Sequence, residues 1–313
     1  MDRHVLGIDC GGTFVKAGVV SEKGEIVKKT SFKTRLDAGI EVFLDDFQRI
    51  IDEHKKEIQA VGIGFAAPLD PEKGTLGEPP NFPSQWHNFP LVDALVERCK
   101  IPVCLENDAN LAALGEYWMG AGKDTDVLVT ITLGTGVGGG IILNGEIWNG
   151  ASGIAGEVGH IPVSDRGPRC GCGNVGCLEV FASSTAVVRM AKELQEMPGK
   201  NTKFSSLAEL SAVEIYKLGK DGDPDAREIF TQVGRYLGKG IAILCHVIGP
   251  RKVVLTGGGV GAWDLFEKSM KETIEQSCFK KEWQVLEVLP TTLERQSGIL
   301  GASCLAFRKL EKK

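Results

Sequence analysis

A strand, a glycine-rich turn and a second strand occur twice in this chain of 313 residues, and that repetition restricts the fold more than any other feature. Val5 to Asp9 reads as a buried strand, Cys10-Gly11-Gly12-Thr13 as a tight turn, and Val15 to Val20 as a second strand. Lys23-Gly24 then turns the chain into Glu25-Ile26-Val27. The order recurs with Val127 to Leu133, the turn Gly134-Thr135-Gly136, Val137 to Leu143, and an Asn144-Gly145 hairpin turn before Glu146-Ile147-Trp148. Two lobes built on one plan are predicted, and the chain is long enough for each to have its own core.

The glycine turns have competing meanings. Gly134-x-Gly136-x-x-Gly139 matches the dinucleotide fingerprint as a string, but that fingerprint needs a helix directly after the turn. Here β-branched residues and a hairpin turn follow, and the chain has no Gly-Lys-Ser/Thr phosphate loop. Either these are ordinary hairpins, or their amides, unobstructed by side chains, point at phosphate oxygens. A third glycine turn, Gly257-Gly258-Gly259, ends the apolar strand Val253 to Thr256 and precedes a predicted amphipathic helix from Trp263 to Gln276.

Between Glu157 and Glu179 the chain reads Glu-Val-Gly-His-(x9)-Cys-Gly-Cys-Gly-Asn-Val-Gly-Cys-Leu-Glu. Cys170, Cys172 and Cys177, spaced Cys-x-Cys-x4-Cys with glycines between them, can converge, and with His160 they make a tetrahedral zinc donor set. A disulfide plus a spare thiol is the competing reading. The other six of nine cysteines are scattered singly and the total is odd, which favours metal. The N-terminal residues Met-Asp-Arg-His lead straight into Val5 and lack a signal-peptide core, so a reducing cytoplasm is expected. With a formal charge of −5 and pI near 5.7, no nucleic-acid or membrane surface is expected, and no apolar run approaches a membrane span.

Ile101 to Leu105 reads as a short strand that ends at Glu106-Asn107-Asp108, and Ala109 to Trp118 has helical composition. Asp108 at a helix start could cap it, or could accept a hydroxyl proton while a phosphoryl group arrives in line. Position alone leaves both roles open.

In chain order, Asp-x-Gly-Gly-Thr, Glu-Asn-Asp-Ala-Asn, Leu-Gly-Thr-Gly-x-Gly-Gly-Gly, Glu-x-Gly-His, Cys-x-Cys-Gly-x-x-Gly-Cys-x-Glu and Thr-Gly-Gly-Gly resemble the ROK family of bacterial sugar kinases and sugar-responsive repressors. The resemblance is strongest to its zinc-containing glucokinases and spans residues 5 to about 304. It implies an α/β, two-lobed actin-like ATPase (ribonuclease H-like) fold with a cleft between the lobes. A small lobe of residues 1–117 would regain the C-terminal helix 298–313, and 118–297 would form the large lobe with the zinc site and nucleotide loops.

The implied activity is transfer of the ATP γ-phosphoryl group to the C6 hydroxyl of glucose. Other hexoses or N-acetylhexosamines (N-acetylmannosamine, N-acetylglucosamine, fructose) are the alternatives, and a non-catalytic sugar-sensing regulator is a further one. Asp108 would be the catalytic base, and Asn81, Asn107, Glu157, His160 and Glu179 would bind the sugar. Asp9 would hold Mg²⁺ through water. Gly11, Gly12, Thr13, Lys16, Gly134, Thr135 and Gly136 would cradle phosphates, and Gly257 and Gly258 would border the adenosine. Zn²⁺ on His160, Cys170, Cys172 and Cys177 would be structural. The implied partners are a sugar and ATP, with a homodimer as the expected assembly.

A repressor would need a helix-turn-helix, for which the strand at Val5 leaves no room ahead of it, and the acidic Glu157 and Glu179 argue against a nucleic-acid-binding zinc module. The chain departs from the family at Phe65-Ala66-Ala67-Pro68, where Pro-Gly is usual, and at Ser84-Gln85 before Trp86. Residues 197–225 read as surface turns and helices without chemistry.

Overall fold

In the computed structural model, residues 2–78 and 83–311 are described. The chain runs β1 (His4–Cys10), β2 (Phe14–Ser21), β3 (Ile26–Lys33), α1 (Ile40–His54), β4 (Val61–Phe65), the short pair β5 (Leu69–Asp70) and β6 (Thr75–Leu76), α2 (Leu91–Cys99), β7 (Val103–Asn107) and α3 (Asp108–Met119). It continues through β8 (Val127–Leu133), β9 (Val137–Leu143), β10 (Glu146–Ile147), α4 (Glu179–Ala182), α5 (Ser184–Glu196), α6 (Ala212–Lys220) and α7 (Pro224–Ile248). Last come β11 (Lys252–Thr256), α8 (Trp263–Ser277), α9 (Lys280–Trp283), β12 (Glu287–Pro290) and α10 (Ser297–Glu311).

The strands form two five-stranded sheets, ordered β3-β2-β1-β4-β7 and β10-β9-β8-β11-β12. In the first, β1, β2 and β3 pair antiparallel while β1, β4 and β7 run parallel. In the second, β9 and β10 are antiparallel and β8, β11 and β12 parallel. The α/β architecture with two sheet-bearing units on one plan is thus the one expected from the repeated strand and turn pattern. By contacts the chain divides into a first unit of Met1–Asp126, Gly140–Gly156 and Thr292–Lys313 and a second of Val127–Gly139 and Glu157–Thr291. No described helix is long and apolar enough to cross a membrane.

In the first unit the sheet is covered by α1, whose Phe43 and Phe47 stack at 4.3 Å between ring centroids, with the buried Trp86 edge-on to Phe43 at 5.1 Å. The tryptophan that follows Ser84-Gln85 is therefore a core residue. α10 lies against β1, β4 and α3, and glycine makes that approach possible. A Cβ at Gly62 would stand 1.9 Å from the Ala302 carbonyl oxygen, and one at Gly301 would stand 1.7 Å from that of Leu111, so side chains there would force the elements apart.

β3 extends to Lys33, well past the Glu25-Ile26-Val27 read from the sequence. It is an edge strand, mostly exposed, with Lys28, Lys29 and Lys33 on it. Such edges are protected by charge and carry no alternating apolar signal. The strand expected at Ile101 to Leu105 sits two residues later, because Pro102 has no N–H to give to the ladder.

Candidate functional site

The first group of residues expected at the site stands at the carboxyl ends of parallel strands. Register places Asp9 of β1 beside Gly64 of β4, and Gly64 beside Glu106 of β7. β7 then passes directly into α3, whose first residue is Asp108. The carboxyl ends of parallel strands are where α/β sheets usually present ligand-binding groups, since the chain leaves the sheet there.

Capping of α3 falls to Asn107. Its Oδ1 accepts the N–H groups of Ala109 at 2.9 Å and Asn110 at 3.2 Å, which fulfils the N-cap requirement. Asp108 Oδ1 also takes the Ala109 N–H, at 3.0 Å. Of the two roles left open for Asp108, the cap is thereby largely supplied by its neighbour. Because Asn107 Oδ1 is occupied, its Nδ2 is the group it can offer to a ligand.

Behind this helix start lies a polar network that sequence reasoning missed. Buried Glu106 accepts the Asn107 N–H at 2.8 Å and Asn110 Nδ2 at 3.1 Å through Oε1, and Asn149 Nδ2 at 3.0 Å through Oε2. Asn110 Nδ2 also donates to Asn149 Oδ1 at 2.9 Å. A buried carboxylate satisfied on both oxygens fixes the β7–α3 turn and with it the direction of Asp108. The Glu-Asn-Asp-Ala-Asn string was a signal for Glu106 and Asn110; nothing local pointed to Asn149.

The charges of Asp9 and Asp108 both act on the buried Cys10. Burial pushes the Cys10 thiol well above its ordinary value, and the charges of Asp9 and Asp108 push it further. Asp9 itself is raised by burial, against the lowering influence of Lys16, whose Nζ is 3.7 Å from Asp9 Oδ2. A carboxyl raised above its ordinary value of 3.8 binds its proton more tightly folded than unfolded. Its ionisation therefore costs stability as pH rises through the window above 3.8. Asp9→Asn is accordingly expected to leave the fold intact and to raise the melting temperature at pH 7, by about 2–4 °C for each kcal/mol recovered. Thermal unfolding at pH 7 and pH 4 checks this, since the gain should shrink at the lower pH; a loss of stability at pH 7 would contradict it.

The turn after β1 is closed by Gly11 N–H on the Phe14 carbonyl at 3.2 Å, and Thr34 binds the carbonyls of Gly11 and Thr13 at 2.7 and 3.0 Å. Gly12 and Thr13 are exposed. In the second unit, Gly134 N–H likewise closes on the Gly136 carbonyl at 3.0 Å. The amides of Gly11 and Gly134, expected from sequence to face phosphate, are thus committed to their own turns. Ser184 and Thr185 at the start of α5 donate their hydroxyls to the carbonyls of Gly134 and Thr135, each at 2.7 Å. Gly257 (φ 88°) ends β11 and lies against Leu133, while Gly258 begins a short 3₁₀ turn ahead of α8.

The cysteine segment of the second unit folds as a knuckle. Cys170 N–H binds the Asn174 carbonyl at 2.7 Å, and Gly173 N–H binds that of Cys170 at 2.9 Å. Isolated bridges pair Pro162 with Cys177 and Arg169 with Val175. Gly176 adopts φ 77°, and a Cβ there would meet the Ser164 carbonyl oxygen at 1.9 Å, so only glycine fits.

As a result the donor atoms of His160, Cys170, Cys172 and Cys177 all lie within 4.8 Å of one another. His160 Nδ1 is 3.5 Å from Cys170 Sγ, and Cys172 Sγ is 3.7 Å from Cys177 Sγ. Three sulfurs and one imidazole nitrogen gathered in this way fit a closed, structural zinc site. His160 presents Nδ1 to the sulfurs, while Nε2 stands 3.8 Å from Glu157 Oε2. Burial pushes the Cys177 thiol up to about 12, and the Asn174 N–H lowers that of exposed Cys172. A bound cation would have to displace the Cys177 proton.

Glu179 links this cluster to the glycine turn. Its Oε2 accepts the Val137 N–H at 3.0 Å, and its Oε1 lies 3.7 Å from Cys170 Sγ. Both oxygens of this residue therefore have protein neighbours. Asn81, expected at the sugar, lies outside the described residues.

The chain resembles known proteins along nearly its whole length. It is 36% identical to a glucokinase of Halalkalibacterium halodurans, over 97% of this chain and 95% of that protein. It is also 36% identical to a glucokinase of Thermotoga maritima, over 98% of each. A crystal structure of a ROK family glucokinase from Streptomyces griseus, in complex with glucose and AMPPNP, superposes with a TM-score of 0.83 at 34% identity, covering 97% of this chain and 99% of that one. The family model matches residues 5–309, and this chain belongs to the ROK family.

Proposed function

We propose that the protein is an ATP-dependent sugar kinase and that its acceptor is the C6 hydroxyl of glucose. The observation that carries the reading is the helix start at Asp108. The turn that leads into it is fixed by a satisfied network around Glu106, Asn107 supplies much of the cap, and the charges of Asp108 and Asp9 both act on Cys10. Phosphoryl transfer asks a protein mainly for positioning and charge stabilisation, and this geometry supplies a fixed base beside a second carboxylate. The relatives named as glucokinases support glucose as the sugar.

In this reading Asp108 accepts the proton of the attacking hydroxyl, and Asn107 Nδ2 holds a neighbouring sugar oxygen. Asp9 would hold Mg²⁺ through water, and the ion would supply neutralising charge to the phosphates. Gly12, Thr13 and Lys16 are the exposed phosphate contacts of the first turn, with Gly11 shaping it. In the second unit, Thr135 and Gly136 contact phosphate while Gly134 closes their turn, and Gly257 and Gly258 flank adenosine. Glu157 and His160 Nε2 hydrogen-bond sugar hydroxyls. Glu179 Oε2 is held by the Val137 N–H, and its Oε1, which a zinc-bound Cys170 thiolate has no proton to give to, binds a sugar hydroxyl.

ATP consumption measured over a panel of hexoses and N-acetylhexosamines tests the reading. Glucose is expected to give the largest kcat/KM. A larger value with an N-acetylhexosamine would replace glucose as the acceptor, and a panel in which no sugar accelerates ATP consumption would remove the kinase reading altogether.

A further inference from the structure

A second mixed cluster lies in the second unit, and none of the roles above uses it. His246, Cys278 and Glu282 each bring one ligand atom to within 4.8 Å of the others. Their positions are fixed by helix ends. His246 stands in the last turn of α7, where Gly249 closes the helix with its N–H on the carbonyls of Leu244 and Cys245. Cys278 caps α8 with its N–H on Ile274 at 2.9 Å. Glu282 belongs to α9, where its Oε2 takes the Phe279 N–H at 3.1 Å.

The imidazole of His246 is bracketed by two acceptors. Nε2 is 3.2 Å from the Ser277 carbonyl oxygen, and Nδ1 is 3.0 Å from Glu282 Oε2. A neutral imidazole has one N–H and can satisfy only one of them. An N–H given to a backbone carbonyl is the usual partner of a metal-ligating histidine, because it fixes the tautomer and turns the other nitrogen's lone pair outward. Here that lone pair faces a carboxylate oxygen, with a thiol alongside. A cation among the three converts two facing acceptors into two ligands.

We infer that His246 Nδ1, the Cys278 thiolate and the Glu282 carboxylate form a second transition-metal site, of the zinc class. A nitrogen, sulfur and oxygen donor set suits zinc and excludes the all-oxygen preference of Mg²⁺ and Ca²⁺. All three residues are partly exposed, so the fourth tetrahedral position is open to water, unlike the closed cluster at His160. The ion would staple the end of α7 to the α8–α9 turn. Cys245, buried beside Cys278 and hydrogen-bonded to it, lies outside the ligand set.

The test is zinc stoichiometry of the full chain, measured by elemental analysis after equilibration with zinc and removal of the excess. Cys278→Ser and Glu282→Gln should each bind about one zinc per chain fewer than the unmodified protein, or bind it with a loss exceeding the roughly 10–100-fold that removal of an outer-shell partner causes. Gln keeps the capping hydrogen bond at position 282, so this variant separates ligand loss from misfolding. Cys245→Ser should bind as the unmodified protein does. Equal stoichiometry and affinity in Glu282→Gln would overturn the site, as would a Cys245–Cys278 disulfide in the zinc-equilibrated protein. No catalytic activity is read, so the result is independent of the kinase proposal.

Discussion

Asp108→Asn is expected to lower kcat by about 10²–10⁴, the range a positioned general base contributes, while leaving the sugar bound and the protein folded. The fold should survive because the Ala109 N–H is shared between Asn107 Oδ1 at 2.9 Å and Asp108 Oδ1 at 3.0 Å, and an asparagine oxygen can keep the second of these bonds. Glu106, Asn110 and Asn149 bond one another directly, so the turn keeps its shape. Sugar affinity changes little because the amide still offers an oxygen to a hydroxyl, but it cannot take up the proton. Steady-state kinetics, calorimetric sugar binding and thermal unfolding on one preparation separate these effects. A variant that turns over within a few-fold of the original protein would remove Asp108 from the catalytic role.

Loss of zinc from the cysteine cluster should have the next largest effect, and should appear first in sugar binding. Cys177→Ser takes a fully buried ligand out of the knuckle, and the expected result is about one zinc fewer per chain and a lowered melting temperature. The binding free energy of structural zinc in small peptides is about 10–16 kcal/mol. The effect here is smaller than that, because the knuckle is also held by backbone bridges at Pro162, Arg169, Val175 and Cys177. Without the metal, His160 loses the constraint on Nδ1, and Nε2 is no longer held toward a ligand. If that hydrogen bond is worth about 0.5–1.5 kcal/mol, KM for sugar rises by roughly 2–10-fold with a lesser change in kcat. A metal-free protein with full stability and unchanged KM would refute the clamp.

Short-range features were legible in the sequence. The strand from Val127 to Leu133 and that from Val137 to Leu143 appear with those bounds, because apolar runs and an Asn-Gly turn are local signals. The helix expected from Trp263 to Gln276 runs one residue further. The cysteine knuckle was legible for a similar reason: its three cysteines lie within one short glycine-rich stretch, and spacing alone limits what they can do. Glu106 was visible only as a letter in a motif, since its burial and its two asparagine partners depend on where the hairpin of β9 and β10 returns.

What the sequence determined, then, is the set of local elements, the repeated plan of two sheets, and the cysteine cluster. Tertiary structure decided which polar groups remain available. It passed capping of α3 to Asn107, committed the Gly11 and Gly134 amides to their own turns, anchored Glu179 Oε2 on the Val137 N–H, and brought His246 to Cys278 and Glu282 across more than a helix length of chain. The physical reason is that periodicity and turn chemistry act over a few residues and leave a trace in the order of amino acids. A side-chain hydrogen bond between distant segments leaves none, because any of several polar residues could have stood there and only the packing of the backbone selects the partner.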